Sequence, residues 1–589
     1  MPDFSKHRTR TNKLIKKVGS RAVNFQAQST RHVTRYVTKR TERIVGVRRF
    51  IAGWLFLAFF LCIATIGALV QVSRLARVDT AVSGGTYTEG VVGSINNLNP
   101  LFTAGSIDES SAKLLFNGLL RYDTNGVLVP DVATDWQVDD SRKVYIVNLR
   151  KDVRWHDGQP LTAQDVVYTI GAIQDTETRS TLYANWQGVK ASAPSDFQVR
   201  LELTAPTASF PTSLTLPILP KHILGDVPAN KLRTVSFNTS PIGTGPFVFS
   251  ALRNEGSKEQ QVELKKNVAY YRGTPKLDRF VIHTFEDDES LARALENREI
   301  TAAVDLKSET IENFSKDTSI RPVDIPLNSG VFAFFKTTSP ILSDTNVRTA
   351  LAESVDRQAI LQLFKARYAP LKTPLLPSQL GYDATYAQQT NLADAAQKLD
   401  EAGWVKQPSG VRAKDGQPLE IGLTTANSAQ YSALESVLQQ QWASIGVTIK
   451  PQLLAPEQLQ QTALSAHAYD ILLYGISIGY DPDVYAYWHS SQARVGGLNF
   501  SEWKSSRADS SLEVARTRLD PVLRTARYKT FLDEWRKSSP AVALYQPRTN
   551  YAYHQNAVGF KEFPATSAAE RLTNVEDWMV NTKSVDQTP

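Results

Sequence analysis

The segment Val129–Ile170, VPDVATDWQVDDSRKVYIVNLRKDVRWHDGQPLTAQDVVYTI, dictates a strand, a turn and a helix in quick succession. Val144 to Leu149 carries one polar amide, Asn148, and follows the polar cluster Asp139–Lys143, which is the pattern of a strand. Trp155, His156, Asp157 and Gly158 read as a turn, with Gly158 free to take positive φ. Thr162 precedes Asp165 by three residues, the spacing at which each side chain of a capping box meets an orphan N–H at a helix start. Val166, Val167 and Ile170 then give that helix an apolar stripe. These elements set the class as α/β and leave function open.

The order of residues in the same segment resembles the extracellular solute-binding proteins, family 5, that serve peptide and nickel ABC importers. DVRWHDGQPLTAQDVV, from Asp152 to Val167, follows that family's D-V-x-W-x-D-G-x-P-L-T-A-x-D-V pattern. The W…D-G-K-x-Y-x-F-x-L-R pattern before it is degraded, with Arg142 where glycine is usual and Val147 where phenylalanine is usual. Further matches run through Leu98-Asn99-Pro100, Asn117–Leu120, Gly126–Pro130, the PIGTGPF turn (Pro241–Phe247), Tyr270–Gly273, VRTALAESVDRQAI (Val347–Ile360), Ala396–Trp404, Leu438–Lys450 and Tyr469–Ser491. The resemblance extends over about Gly84 to Phe560.

What it implies is a two-lobed periplasmic-binding-protein ectodomain of type II, α/β, with an extra subdomain in lobe I. Residues 85–328 and 541–589 would form lobe I, with the subdomain at about 116–236, and residues 329–540 lobe II. Ala541–Tyr545 is then expected as a strand returning to the first lobe. Ligand-binding residues are implied at Gly105, Ser106 and Ile107, at Phe332, and at Gly475, Ile476, Ser477, Ile478, Tyr480 and Asp481. In the family's dipeptide and oligopeptide receptors, an aspartate three residues before the acid of a D-P turn meets the peptide's α-amino group. That position is Ile478 here, so Asp481, Asp483, Asp108 or Glu109 would have to compensate. Partners follow from the resemblance as an oligopeptide or other small solute and the permease subunits of an ABC importer. A nickel chelate, an oligosaccharide or an opine are alternative ligands, and a surface sensor or scaffold without transport is an alternative role.

The amino-terminal part is read from its residues alone. Phe50–Val70 holds 21 residues without a charge, about 30 Å of helix at roughly 1.5 Å per residue, enough to cross a bilayer. It is longer than the apolar core of a secretory signal, about 7–15 residues, and Cys62 lies mid-run after Leu61 rather than at a lipoprotein junction. A transmembrane helix over 50–72 is therefore expected, contacting the lipid bilayer, with a linker over 73–84. Residues 1–49 carry fourteen Lys and Arg against two acids, a tail of about +12 on a chain of net charge +7. A basic tail of that kind stays cytoplasmic, with the carboxy-terminal ectodomain extracellular or periplasmic. Val33, Tyr36, Val37, Ile44 and Val47 could stripe an amphipathic helix within it. Everything after the tail is mildly acidic, which argues against a nucleic-acid partner.

No catalytic constellation is visible: no G-x-S-x-G, no H-E-x-x-H, and a single cysteine inside the apolar run. The glycines of GTGP lack a following Gly-Lys-Ser/Thr and do not make a phosphate loop. The histidines are scattered, with no two at metal-ligand spacing. The expectation is a binding protein, not an enzyme, with no cofactor and no resident metal.

Overall fold

The computed structural model describes residues 48–586, apart from 76, 104, 256–258, 315, 317, 365–367 and 563. The amphipathic helix expected within 33–47, and the tail as a whole up to residue 47, lie outside the described residues. The chain divides into two compact units, one comprising the segments up to Thr80 and from Lys583, the other Ala81–Thr582.

In the first unit, Arg48–Leu75 is one helix of 28 residues. Its span Phe50–Ala68 has a mean hydropathy of 2.3 and no buried residues, so it is long and apolar enough to cross a membrane. Arg77–Val82 pairs with Asn581–Asp586.

The second unit is built on two large mixed sheets. The first has seven strands in the order Ile320–Pro326, Arg548–His554, Ala302–Val304, Thr86–Val92, Arg279–Phe285, Glu259–Lys266 and Phe247–Glu255. The second has six, ordered Ala369–Pro370, Ala541–Gln546, Ser329–Phe335, Ile471–Ser477, Glu420–Ala426 and Thr448–Leu454. A separate four-stranded sheet, Ala133–Val138, Val144–Leu149, Gln198–Glu202 and Lys190–Ser195, carries the helix Ala163–Gln174.

The chain passes between the large sheets at two adjacent points. One follows Pro326, where Leu327 and Asn328 lead into Ser329–Phe335. The other is Pro547, and this corrects the placement of Ala541–Tyr545. That strand pairs with Val331–Phe334 in the six-stranded sheet instead of returning to the first lobe. Proline has no N–H to give a ladder, so pairing stops at Pro547 and resumes in the other sheet at Arg548. The two crossings are tied together: Leu327 N–H donates to Pro547 O at 2.9 Å, and Gln546 Nε2 to Leu327 O at 2.8 Å.

Ser329–Phe335 is buried on both faces, which is why its sequence shows no polar alternation. Val331, Ala333 and Phe335 pack with Leu351 and Trp442 on one side, and Phe332 and Phe334 with Trp488 and Trp535 on the other. Each large side chain so enclosed stabilises the fold by about 1.5–3 kcal/mol.

The motif Asp152–Val167 docks the GTGP turn. His156 N–H donates to Gly243 O at 2.8 Å, and the His156 ring lies between Gly243 N at 3.2 Å and Gly245 O at 3.1 Å. Burial holds the imidazole down to about 4, so it is neutral and takes one hydrogen bond while giving the other. A Cβ on Gly243 would stand 1.8 Å from Leu115 O, so the glycine permits close packing on a helix end rather than phosphate binding. Asp165 accepts from Thr162 N at 2.8 Å and, across the chain, from Lys221 N at 2.9 Å. Arg142, where glycine is usual, has φ of 59°.

Candidate functional site

Two cavities share a wall. The first, of about 750 Å³, has Ser209 and Phe210 on one side and Ile478, Asp481, Tyr485 and Arg516 on the other. The second, of about 490 Å³, is lined by Glu109, Lys113, Arg121, Asp131, Tyr270 and Arg272. Tyr122, Asn185, Thr566 and Glu570 border both. Volumes of this size, about 300–1,000 Å³, are those of small-molecule sites.

One aromatic, Tyr122, borders both cavities, and Tyr480, which lines the first, stacks on it. Tyr122 ends the strand Leu120–Tyr122, and Tyr480 follows the strand Ile471–Ser477 of the six-stranded sheet. Their rings stack with centroids 3.7 Å apart and planes 23° apart. The Tyr480 hydroxyl donates to Glu570 Oε2 at 2.7 Å and lies 3.0 Å from Pro564 O, while Thr566 N–H donates to the same Glu570 oxygen at 2.6 Å. Burial pushes the Glu570 carboxyl above the usual range, and the Lys113 ammonium pulls it part of the way back. Burial likewise raises both tyrosine hydroxyls.

Elsewhere the charges are mostly paired. Asp131 accepts from Asn117 at 3.1 Å and Tyr271 at 2.8 Å, with Arg272 at 3.5 Å and Arg121 at 3.9 Å. Arg272 also pairs with Glu576. In the first cavity Asp481 pairs with Arg524 at 2.6 Å, and Asp483 with Arg516 at 3.2 Å and Ser209 at 2.9 Å. Ser209–Asp483 and the bond from Ala208 N to Arg516 O at 2.7 Å both cross the cleft. Glu109 is pushed upward by burial, helped by Glu570 and Asp108 and opposed by a hydrogen bond with Ser567.

Of the residues implied from the sequence, Ile478, Tyr480 and Asp481 line the first cavity. The others do not line either cavity. Phe332 is fully buried between Phe334 and Trp488 in the core, and Ile476 is buried with it. Gly475 pairs with Val331 in the sheet, and the Ser477 carbonyl is taken by the Tyr487 hydroxyl. Gly105 is the open residue before the helix Ser106–Leu115, Ser106 begins it, and Ile107 packs on the core. That helix instead offers Glu109 and Lys113, one turn apart on the same face, to the second cavity. Tyr122, Lys113 and Glu570 were not foreseen. The one signal was a lysine among the otherwise buried Ala112, Leu114 and Leu115.

A family model for the bacterial extracellular solute-binding proteins, family 5 (middle part), matches residues 127–497. The chain belongs to that family. Oligopeptide-binding protein AppA of Bacillus subtilis is 28% identical over 510 residues, covering 84% of this chain and 91% of its own length. The crystal structure of AppA in complex with a nonapeptide superposes with a TM-score of 0.68 at 26% identity, over 85% of this chain and all of that one. NikZ of Campylobacter jejuni in complex with Ni(L-His) gives 0.69 at 27% identity, over 84% of this chain and 99% of its own. This family-5 chain thus has the two-lobed α/β architecture of those proteins.

Proposed function

We propose that this chain is the membrane-anchored, extracellular substrate-binding component of an ABC importer, capturing oligopeptides and delivering them to the permease. The observation that carries the reading is the paired cavity at Tyr122 and Tyr480, enclosed by residues from both lobes, in a chain similar to an oligopeptide-binding protein. The two crossings at Leu327–Asn328 and Pro547 serve as the hinge about which the lobes close on the ligand. Lobe I then takes residues 85–328 and the segment from Arg548, and lobe II residues 329–546. Ile478, Tyr480 and Asp481 act in ligand binding with Tyr122 and Glu570. Similarity to NikZ, named in complex with Ni(L-His), supports a small metal chelate as the second reading.

The test is native mass spectrometry of the full-length chain in nanodiscs with pools of random peptides two to nine residues long, a nickel–histidine chelate run alongside. Retained peptides that raise the melting temperature by mass action support the first reading. Retention of the chelate and of no peptide replaces it with the second, and retention of neither refutes both.

A further inference from the structure

Lys113 is the one cation lining the second cavity that, among the described residues, has neither a hydrogen bond nor an ion pair. It is mostly buried, and burial lowers its pKa; Glu570 and Asp131 act on it only through space. Both acids are engaged by other groups. Glu570 is held by Tyr480 and Thr566, and Asp131 by Asn117, Tyr271 and Arg272. Glu109, one turn earlier on the helix, is held by Ser567. An ammonium has three donors and no acceptor, so Lys113, facing the cavity without a protein partner, has its donors available to an anionic group there.

We propose that Lys113 is the anchor for a carboxylate of the ligand, so that the second cavity takes the acidic end of the solute. For a peptide this is the C-terminal carboxylate, with the chain running past Tyr122 and Tyr480 into the first cavity. A monoanion fits better than a phosphate. Glu109, Asp131, Glu570 and Glu576 all border the same space, and each added ligand charge meets their repulsion. This assignment rests on reading the paired cavity as the solute site.

The full-length chain is tested against random hexapeptide pools with free C-terminal carboxylates and against the same pools as C-terminal amides. The expected result is a ten- to hundredfold preference for the free acids, matching the usual worth of a charge-assisted hydrogen bond, about one to two decades in affinity. Lys113→Met should abolish the preference while an unchanged circular dichroism spectrum shows the fold intact, and Lys113→Arg should restore part of it. Equal binding of acid and amide by the unaltered chain overturns the proposal, as does a preference that survives in Lys113→Met. If neither pool binds, the peptide reading falls separately, and carbon-13 methyl-lysine NMR decides the anchor. N-acetylalanine should then shift the Lys113 resonance and N-acetylalaninamide should not; no shift with the acid overturns the assignment.

Discussion

The Tyr122 ring lies 3.7 Å, centroid to centroid, from the Tyr480 ring, so the stack beside the two cavities joins the strand Leu120–Tyr122 to the segment that follows the strand Ile471–Ser477. Aromatic pairs of this kind are worth about 0.5–1.5 kcal/mol beyond their buried area. Tyr122→Ala and Tyr480→Ala should therefore be non-additive, with a coupling of about that size in a double-mutant cycle on ligand off-rates. Tyr480→Phe keeps the stack and loses the hydroxyl's contacts with Glu570 and Pro564 O, and its effect should fall between those of the unaltered chain and Tyr480→Ala. Purely additive off-rates would separate the stack from closure.

Local structure was legible where short-range chemistry decides it. The strand Val144–Leu149 and the Thr162–Asp165 capping box that opens Ala163–Gln174 follow from residues within one turn of each other. The site was less legible because its wall draws on segments far apart in the chain: Lys113, Tyr122, Tyr480 and Glu570 share no local pattern. Phe332 misled for a related reason. A strand covered on both faces has no polar face to say which side chains reach the cleft.

Arg142 sits at φ 59° in a turn held by the Asp139 carboxylate, which accepts from Ser141 Oγ at 2.7 Å and Val144 N at 3.0 Å. A left-handed residue other than glycine costs about 1–2 kcal/mol, partly offset by the greater freedom glycine has when unfolded. Arg142→Gly should stabilise by about 0.5–1 kcal/mol and raise the melting temperature by about 1–3 °C. A lower melting temperature would mean that the Arg142 side chain contributes more than its backbone costs.

Glu570 titrates above its ordinary range because burial disfavours its charged form. A raised carboxyl favours the folded state while protonated, so its contribution is present below the unfolded pKa and lost as pH rises through the folded one. Relative to Glu570→Gln, the unaltered chain should lose stability from about pH 4.5 upward. Melting temperatures of both proteins across that range check the sign, and a difference independent of pH would show Glu570 to be ionised at no cost.

The helix Arg48–Leu75 exposes its whole apolar span, which a soluble surface does not tolerate over this length. With the basic tail before it, the expected topology places the amino end in the cytoplasm. Protease added to intact spheroplasts should digest the chain from about Val78 onward and leave the tail protected. A released mature protein lacking the helix would show it to be a cleaved signal instead.

The position three residues before Asp481 is Ile478, a buried side chain on the first cavity that cannot meet a cation. Of the four acids in reach of the missing aspartate's role, Asp481 is committed to Arg524 and Asp483 to Arg516 and Ser209. Asp108 is buried and accepts from Asn96 N at 3.0 Å. Glu109 alone of the four lines the second cavity, and it is already engaged by a hydrogen bond with Ser567. Acetylating the amino end of a peptide ligand should then change its affinity by less than about tenfold, under 1.4 kcal/mol. Losing a buried ammonium–carboxylate pair would instead cost about 3–5 kcal/mol, two to four decades. Calorimetry on matched free and acetylated peptides decides between them. A hundredfold loss that vanishes in Glu109→Gln would assign the amino end to Glu109, and one that persists would place it at Asp481 or Asp483, displacing an arginine.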